Sequence, residues 1–201
     1  MTRSRNPTCS VVSNDRTIKD WSEAGGADHF VQFYRTDDYL IDCLAGYVAK
    51  GLLGEENAVV IATGAHRLAL EDRLRLKHVD VANAVIAGRY LSLDAQEVLA
   101  KFMVNGRPNP DAFRDVVGEL VRNATAGGKP LRAFGEMVAL LWAEDNREAA
   151  IELEQLWTDL GSQHRFSLFC AYPADCVTPK DGRPGLEHIC RTHSCLIAPA
   201  A

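Results

Sequence analysis

Short apolar segments alternate along the chain with segments whose apolar residues recur every three to four positions. Continuous or alternating apolar runs of five to eight residues predict strands, and a period near 3.6 predicts amphipathic helices. The second apolar segment, NAVVIAT, is continuous and rich in β-branched residues, which is typical of a parallel strand covered by helices on both faces. The predicted strands are residues 29–34 (HFVQFY), 57–63, 89–93, 131–137 and 166–173.

Helix signals fill the intervals between these strands. Thr36 and Asp94 have the side chains of N-caps, and Asn109 followed by Pro110 is a typical helix start. Gly127 and Gly128 follow the apolar stripe of one predicted helix and mark its end, because glycine is common just past a helix C-terminus. The predicted helices are a short one at 17–23, then one from 36 that ends around 51–54, 66–77, 94–106, 109–127, a short one after 137, a longer one around 149–160, and a final short one at 186–191.

Alternating strands and helices predict an α/β fold. We expect a three-layer sandwich with a mostly parallel sheet of about five or more strands, because parallel strands need crossover connections. Residues 28–198 are predicted to form a single domain, and residues 1–27, which are polar and end in Gly25 and Gly26, a flexible N-terminal tail. In open sheets of this kind ligands bind at the carboxyl ends of the strands.

Composition narrows the classes of partner. The chain has 201 residues, 47% of them hydrophobic, and a net charge of -5 with a pI near 5.7. A broad nucleic-acid surface needs clustered Lys and Arg, so no nucleic-acid partner is predicted. No apolar run approaches the roughly 20 residues that span a bilayer, and the N-terminus MTRSRNPTCS lacks the apolar segment of a signal peptide. The prediction is a cytoplasmic protein without a membrane partner.

Six cysteines are too few and too unevenly spaced to predict a disulfide framework, and we expect reduced thiols. The C-terminal string HICRTHSC contains four residues, two histidines and two cysteines, of types that bind zinc within eight positions. Structural zinc sites usually combine two pairs separated by a longer loop, so ligands packed this closely strain a tetrahedral site. The prediction is no metal and no cofactor, with metal binding by this string left open. The four residues are His188, Cys190, His193 and Cys195.

The turn after the first strand has the location of a phosphate-binding loop but not its chemistry. A helix N-terminus attracts anions, and here Asp37 and Asp38 already place two negative charges in the first turn. A polyphosphate is repelled by such a start, and the same acids also stabilise the helix. The pair Gly128 and Lys129 lacks the upstream glycine and the following Ser or Thr of a phosphate loop, so we interpret it as a helix stop.

Candidate ligand-binding residues follow from the strand ends and from nearby aromatic side chains. Glu136 can orient water or bind a polar group, or it can form a structural ion pair with Arg132 or a neighbouring helix. Cys170 is a candidate reactive thiol or a small core residue. The aromatic candidates are either core residues or the walls of an apolar pocket. The predicted set is Tyr34, Arg35, Thr36, Thr63, Glu136, Trp142, Cys170 and Tyr172.

The order of HFVQFY before an acidic helix start, then GEMVALLW, LEQLW, FSLFCAYP and ICRTHS, resembles the MEDS family, a methanogen/methylotroph sensory domain named for a dichloromethane-responsive repressor. The resemblance covers residues 28–198. It implies a sensory domain that recognises small, often hydrocarbon-like molecules and is coupled to a kinase or a DNA-binding output. The layout also resembles a RecA or KaiC core that has lost its phosphate loop.

Three functional hypotheses follow. The first is a non-enzymatic sensory domain that binds a small molecule and signals through a separate partner, such as a histidine kinase or a regulator. The second is a degenerate nucleotide-binding regulator that retains ATP binding, with Glu136 orienting water. The third is a scaffold that dimerises and docks a partner.

Overall fold

Seven parallel strands form the central sheet of the computed structural model, which describes residues 16–18, 21–23, 26–174, 189 and 191–197. The predicted three-layer α/β class is therefore confirmed. The strands of this sheet are β1 (Arg16–Ile18), β2 (His29–Tyr34), β3 (Asn57–Ala62), β4 (Tyr90–Asp94), β7 (Leu131–Gly135), β8 (Ser167–Pro173) and β9 (Cys195–Ile197). Two further strands, β5 (Met103–Val104) and β6 (Arg107–Pro108), form a separate antiparallel hairpin.

The strand order in the sheet is β1-β9-β2-β8-β7-β3-β4, and each neighbouring pair is parallel. The last strand along the chain therefore lies between the first two. All six side chains of β3 are buried, as its continuous apolar run predicts.

Helices cover both faces of the sheet. One face packs against the first three helices, and the other packs against the last five, so each face has its own hydrophobic core. The helices are α1 (Asp37–Leu53), α2 (Gly64–Leu76), α3 (Val81–Ile86), α4 (Ala95–Ala100), α5 (Pro110–Phe113), α6 (Glu119–Thr125), α7 (Met137–Ala143) and α8 (Arg147–Gln163). A π-helical turn (Arg114–Gly118) joins α5 to α6.

Three predicted N-caps are confirmed. The Thr36 hydroxyl accepts a hydrogen bond from the Tyr39 amide, and Asn109 caps α5 with Pro110 in its first turn. The Asp94 carboxylate accepts from two amides at the start of α4. Each cap satisfies backbone donors that have no partner within the helix.

The structure corrects several predicted elements. The helix from Asp94 ends at Ala100, because residues 103–108 turn back as the small hairpin, with positive φ at Asn105 and Gly106. The helix predicted at 17–23 is wrong at its start: β1 ends at Ile18, and a 3-10 turn follows at Trp21–Glu23. The strands β1 and β9 and the helix α3 were not predicted. The final helix predicted at 186–191 lies mostly outside the described residues.

Candidate functional site

The carboxyl edge of the sheet brings together five of the predicted residues. Tyr34 ends β2 and is buried, while Arg35 and Thr36 connect it to α1. Thr63 caps α2 directly after β3, and Glu136 follows β7, which pairs with β3. These residues therefore lie where the fold class places ligands.

Glu136 is the centre of a small polar network at this edge. One carboxylate oxygen accepts a 2.8 Å hydrogen bond from the Thr63 amide. The other lies 2.8 Å from Nδ1 of His66, whose Nε2 is 3.5 Å from a carboxylate oxygen of Asp37. The contact with Glu136 raises the pKa of His66, against the opposing effect of burial. Glu136 thus contacts a neighbouring helix, as one predicted alternative held, while Arg132 pairs with Glu56 instead.

Acidic side chains of α1 also form ion pairs with Arg73 of α2. Asp38 lies 3.2 Å from the guanidinium of Arg73, and Asp42 lies 2.7 Å from the same group. These contacts are largely exposed, so each contributes little to stability. Asp37 and Asp38 lie in the first turn of α1, as the sequence predicted.

The other three predicted residues lie elsewhere. Cys170 and Tyr172 are fully buried on the face of the sheet that packs against α8. Trp142 belongs to the same core, with its ring 5.9 Å from that of Tyr172. The alternation of side chains along β8 explains this placement, because successive residues point to opposite faces. The predicted set is thus divided between two regions.

A second polar cluster lies on that face, around the carboxylate of Glu154 in α8. The residue is 1% exposed. One of its oxygens accepts a 2.5 Å hydrogen bond from the Tyr172 hydroxyl. The other lies 3.4 Å from Nε2 of His29, 3.6 Å from Nε2 of His193 and 3.9 Å from Sγ of Cys170. We call His29, Glu154, Cys170 and His193 the buried polar cluster.

Electrostatics in this cluster favour the ionised carboxylate. Burial alone raises the pKa of Glu154, but the charges of His193 and His29 outweigh burial and lower it to about 2. Burial and the nearby Glu154 raise the pKa values of Cys170 and Tyr172 well above their ordinary values. Without another cation, the thiol and the phenol are therefore neutral and can donate to the carboxylate.

A pocket of about 270 Å³ opens beside the buried polar cluster, at the amino ends of β2 and β8. Its walls are mainly apolar, and hydroxyl groups and glycine complete the lining. His29 belongs both to this pocket and to the buried polar cluster. The lining residues are Ala27, His29, Trp157, Thr158, Gly161, Ser162, Phe166, Leu168, Thr192 and Ser194.

Sequence reasoning missed most of this region. It placed His29 in a strand without a role and treated Glu154 as part of an amphipathic helix. Glu154 carried one signal, since a carboxylate within the apolar stripe of α8 is unusual unless it is paired. Of the terminal string, His193 joins the buried polar cluster, whereas the side chains of His188, Cys190 and Cys195 lie outside the described set.

Fold and sites together define a parallel α/β domain with a small pocket at one sheet edge and a charged network at the other. A family model described as MEDS, MEthanogen/methylotroph, DcmR Sensory domain, matches residues 28–194. The chain belongs to this family, which confirms the resemblance. No curated protein matches the chain. Among the described residues, no helix combines the length and apolar content needed to cross a membrane.

Proposed function

We propose that this sensory domain is not an enzyme: it binds a small, mainly apolar molecule and signals through a separate partner protein. The pocket of about 270 Å³ beside His29 is the observation that carries the proposal. Ligand sites combine apolar walls with a few polar groups that fix orientation. Trp157, Phe166 and Leu168 supply such walls, and Thr158 and Ser162 supply hydroxyl groups.

The volume of the pocket limits the ligand. Pockets for drug-sized molecules occupy roughly 300–1,000 Å³, so a space of about 270 Å³ lies just below that range and suits a ligand smaller than a typical drug-sized molecule. Its apolar lining favours a hydrocarbon or a halogenated hydrocarbon over a phosphate or a sugar. This chemistry agrees with what membership of the MEDS family implies.

A signal requires two conformations that differ in affinity for the ligand. The pocket offers a route, because Thr192 and Ser194 line it and lie within three residues of the start of β9. The Ser194 amide donates to the carbonyl of His29, so this segment is tied to the start of β2. A ligand that moves these two residues therefore acts on a strand inside the sheet.

An apolar surface supports the partner protein in this proposal. The neighbouring helices α2 and α3 expose Leu68, Leu76, Val85 and Ile86, each by more than half of its surface. Exposed apolar groups of this size are common at protein contacts when they form a patch. We propose that a signalling protein such as a histidine kinase or a regulator binds here.

The carboxyl edge is the second candidate site, favoured by the nearly buried Glu136 network. A ligand with a hydrogen-bond donor can bind there beside Tyr34, Arg35 and Thr36. The degenerate ATP-binding hypothesis applies to the same edge, although Asp37 and Asp38 oppose a triphosphate. A titration with a fluorescent ATP analogue and magnesium tests it, and tight magnesium-dependent binding favours a nucleotide over the apolar ligand.

Gly161 permits a sharp test of the pocket. A Cβ added at this position in α8 meets no atom within 4 Å, and glycine is a poor helix former. Gly161→Leu therefore adds a large side chain to the lining of the pocket at a position where its Cβ meets no other atom. Glu136→Gln is the matched change at the other edge, since the amide oxygen still accepts from Thr63. Benzene and dichloromethane serve as probes in ligand-observed NMR.

We expect the unmodified chain and Glu136→Gln to bind a probe equally, and Gly161→Leu to bind it at least about tenfold more weakly. A tenfold change corresponds to about 1.4 kcal/mol. If Glu136→Gln loses binding and Gly161→Leu keeps it, the ligand site is the carboxyl edge. If neither probe binds the unmodified chain, an apolar ligand is ruled out. Circular dichroism confirms that both variants are folded.

A further inference from the structure

We propose that the buried polar cluster, formed by His29, Glu154, Cys170 and His193, is a binding site for one zinc-class divalent metal ion. Each residue offers one ligand atom, and the four atoms lie within 4.8 Å of one another. This inference does not rest on the proposed sensory function, because an ion can bind here whatever occupies the pocket.

The distances in the cluster fit a tetrahedral ion. With Zn–N near 2.0–2.1 Å and Zn–S near 2.3 Å, tetrahedral geometry separates neighbouring ligand atoms by about 3.3–3.6 Å. The distance from Nε2 of His29 is 3.3 Å to Sγ of Cys170 and 3.4 Å to the Glu154 carboxylate. That carboxylate is 3.6 Å from His193 and 3.9 Å from Cys170. Shifts of under about an ångström complete the tetrahedron.

Outer contacts orient two of the four ligands. Nδ1 of His193 lies 2.6 Å from the carbonyl oxygen of Ile189, and a carbonyl can only accept, so Nδ1 carries a proton. In the neutral ring, Nε2 then presents its lone pair to the cluster. The Tyr172 hydroxyl donates to one oxygen of Glu154 and leaves the other for the ion. Metal-binding histidines and carboxylates are commonly held in this manner.

The alternative is a metal-free ion pair. In this arrangement His193 is protonated, and its Nε2–H faces the carboxylate oxygen of Glu154 at a distance of 3.6 Å. An unprotonated Nε2 would instead place its lone pair against a negatively charged oxygen. The ion pair buries two charges, which is costly. It also leaves the Cys170 thiol with only a long 3.9 Å contact to Glu154, although its sulfur lies 3.3 Å from Nε2 of His29 as well. One metal ion accounts for the convergence of all four groups.

The ligand set selects the kind of ion. Magnesium and calcium prefer oxygen ligands alone, whereas a thiolate with imidazoles and a carboxylate suits Zn²⁺ or its spectroscopic substitute Co²⁺. Four protein ligands close the coordination sphere, which is characteristic of a structural site. The ligands come from β2, α8, β8 and the residue two positions before β9, so the ion fixes the C-terminal segment to the sheet.

Cobalt titration of chelator-treated protein tests the site directly. A thiolate ligand produces a sulfur-to-cobalt charge-transfer band, and native mass spectrometry counts ions per chain. Cys170→Ser removes the proposed thiolate at nearly constant volume, and Cys43→Ser is the control, since this free thiol lies outside the cluster. The double variant Cys190→Ser with Cys195→Ser tests the terminal string as the source of the band.

We expect one ion per chain, no charge-transfer band in Cys170→Ser, and an unchanged band in Cys43→Ser and in the terminal double variant. His29→Gln should keep the band but lose more than the roughly 10–100-fold in affinity that an outer-shell change costs. His29→Gln also decides the matter if Cys170→Ser fails to fold. The proposal is overturned if the unmodified chain binds no stoichiometric ion, if His29→Gln binds as tightly, or if the band follows the terminal cysteines.

Discussion

At the scale of single residues, the side of the sheet that a side chain faces decides its chemistry. Along β8, Phe169 and Ala171 pack into the core beneath α1, whereas Cys170 and Tyr172 pack beneath α8. The same four-residue stretch therefore supplies aromatic packing to one face and two polar groups to the other. Of these four residues, only Cys170 and Tyr172 contact the carboxylate of Glu154.

His66 gives a residue-scale prediction with a defined sign. Its pKa is raised in the folded protein through the contact with Glu136, which favours the protonated ring. A raised folded-state pKa adds stability that is fully present below the ordinary value of about 6.5 and is lost as the pH rises through the folded-state pKa. We expect His66→Gln to lower the free energy of unfolding most near pH 6 and least near pH 9.

Urea unfolding at several pH values measures this difference. The control is His78→Asn, at an exposed residue with a φ of 61° that asparagine tolerates. Glu136 and Asp37 are the acidic groups that face His66. A difference between the unmodified chain and His66→Gln that stays constant with pH would contradict the argument.

At the scale of secondary-structure elements, the sequence predicted what local periodicity determines. Five strands were placed within two residues of their observed bounds, because each is a distinct apolar run. The three-residue strands β1 and β9 carry no such signal, since they are defined by pairing with each other and with β2. The end of α4 at Ala100 was missed because apolar Phe102 and Met103 continue the helical pattern into the hairpin.

Gly46 gives a prediction about how two elements pack. A Cβ here in α1 would lie 2.5 Å from the indole of Trp21 in the preceding 3-10 turn. Alanine gains roughly 0.5–1 kcal/mol in helix propensity, while overpacking costs about 1–3 kcal/mol. We expect Gly46→Ala to destabilise the domain by about 1 kcal/mol and to expose Trp21. Exposure of this indole shifts tryptophan fluorescence to longer wavelength, and the change reports on Trp21 because Trp142 and Trp157 are buried.

Two comparisons isolate the steric contact at Gly46. Gly161→Ala places the same methyl group in open space in α8, so it should stabilise the domain by roughly 0.5–1 kcal/mol. In a Trp21→Ala background, Gly46→Ala should become stabilising as well. If it remains equally destabilising there, the contact with the indole is not the cause.

At the scale of the whole molecule, the candidate site was harder to predict than the fold. The carboxyl edge follows from a topological rule, so Thr63 and Glu136 were predicted together and lie together. The buried polar cluster depends on side chains far apart in sequence, with His29 and Cys170 separated by 141 residues. Local periodicity contains no information on such a convergence, and the terminal string drew attention to His193 but not to His29, Glu154 or Cys170.

The strand order of the sheet predicts that the two ends of the chain contribute unequally to stability. Among the described strands, β9 pairs with both β1 and β2, whereas β1 is at the edge of the sheet and pairs with β9 alone. Ile197 in β9 is 2% exposed, and burial of such a side chain contributes roughly 1.5–3 kcal/mol. Deletion of residues 195–201 removes this burial and both ladders, while deletion of residues 1–18 removes one ladder.

We therefore expect the C-terminal deletion to lower the free energy of unfolding by about 2 kcal/mol or more, and the N-terminal deletion by clearly less. Urea unfolding followed by circular dichroism gives both values. The measurement is made without added metal, so that ion binding does not contribute to either value. The C-terminal deletion starts at residue 195 and retains His193, so all four residues of the buried polar cluster remain. Equal losses, or a larger loss from the N-terminal deletion, would show that β9 does not hold the interior position between β1 and β2.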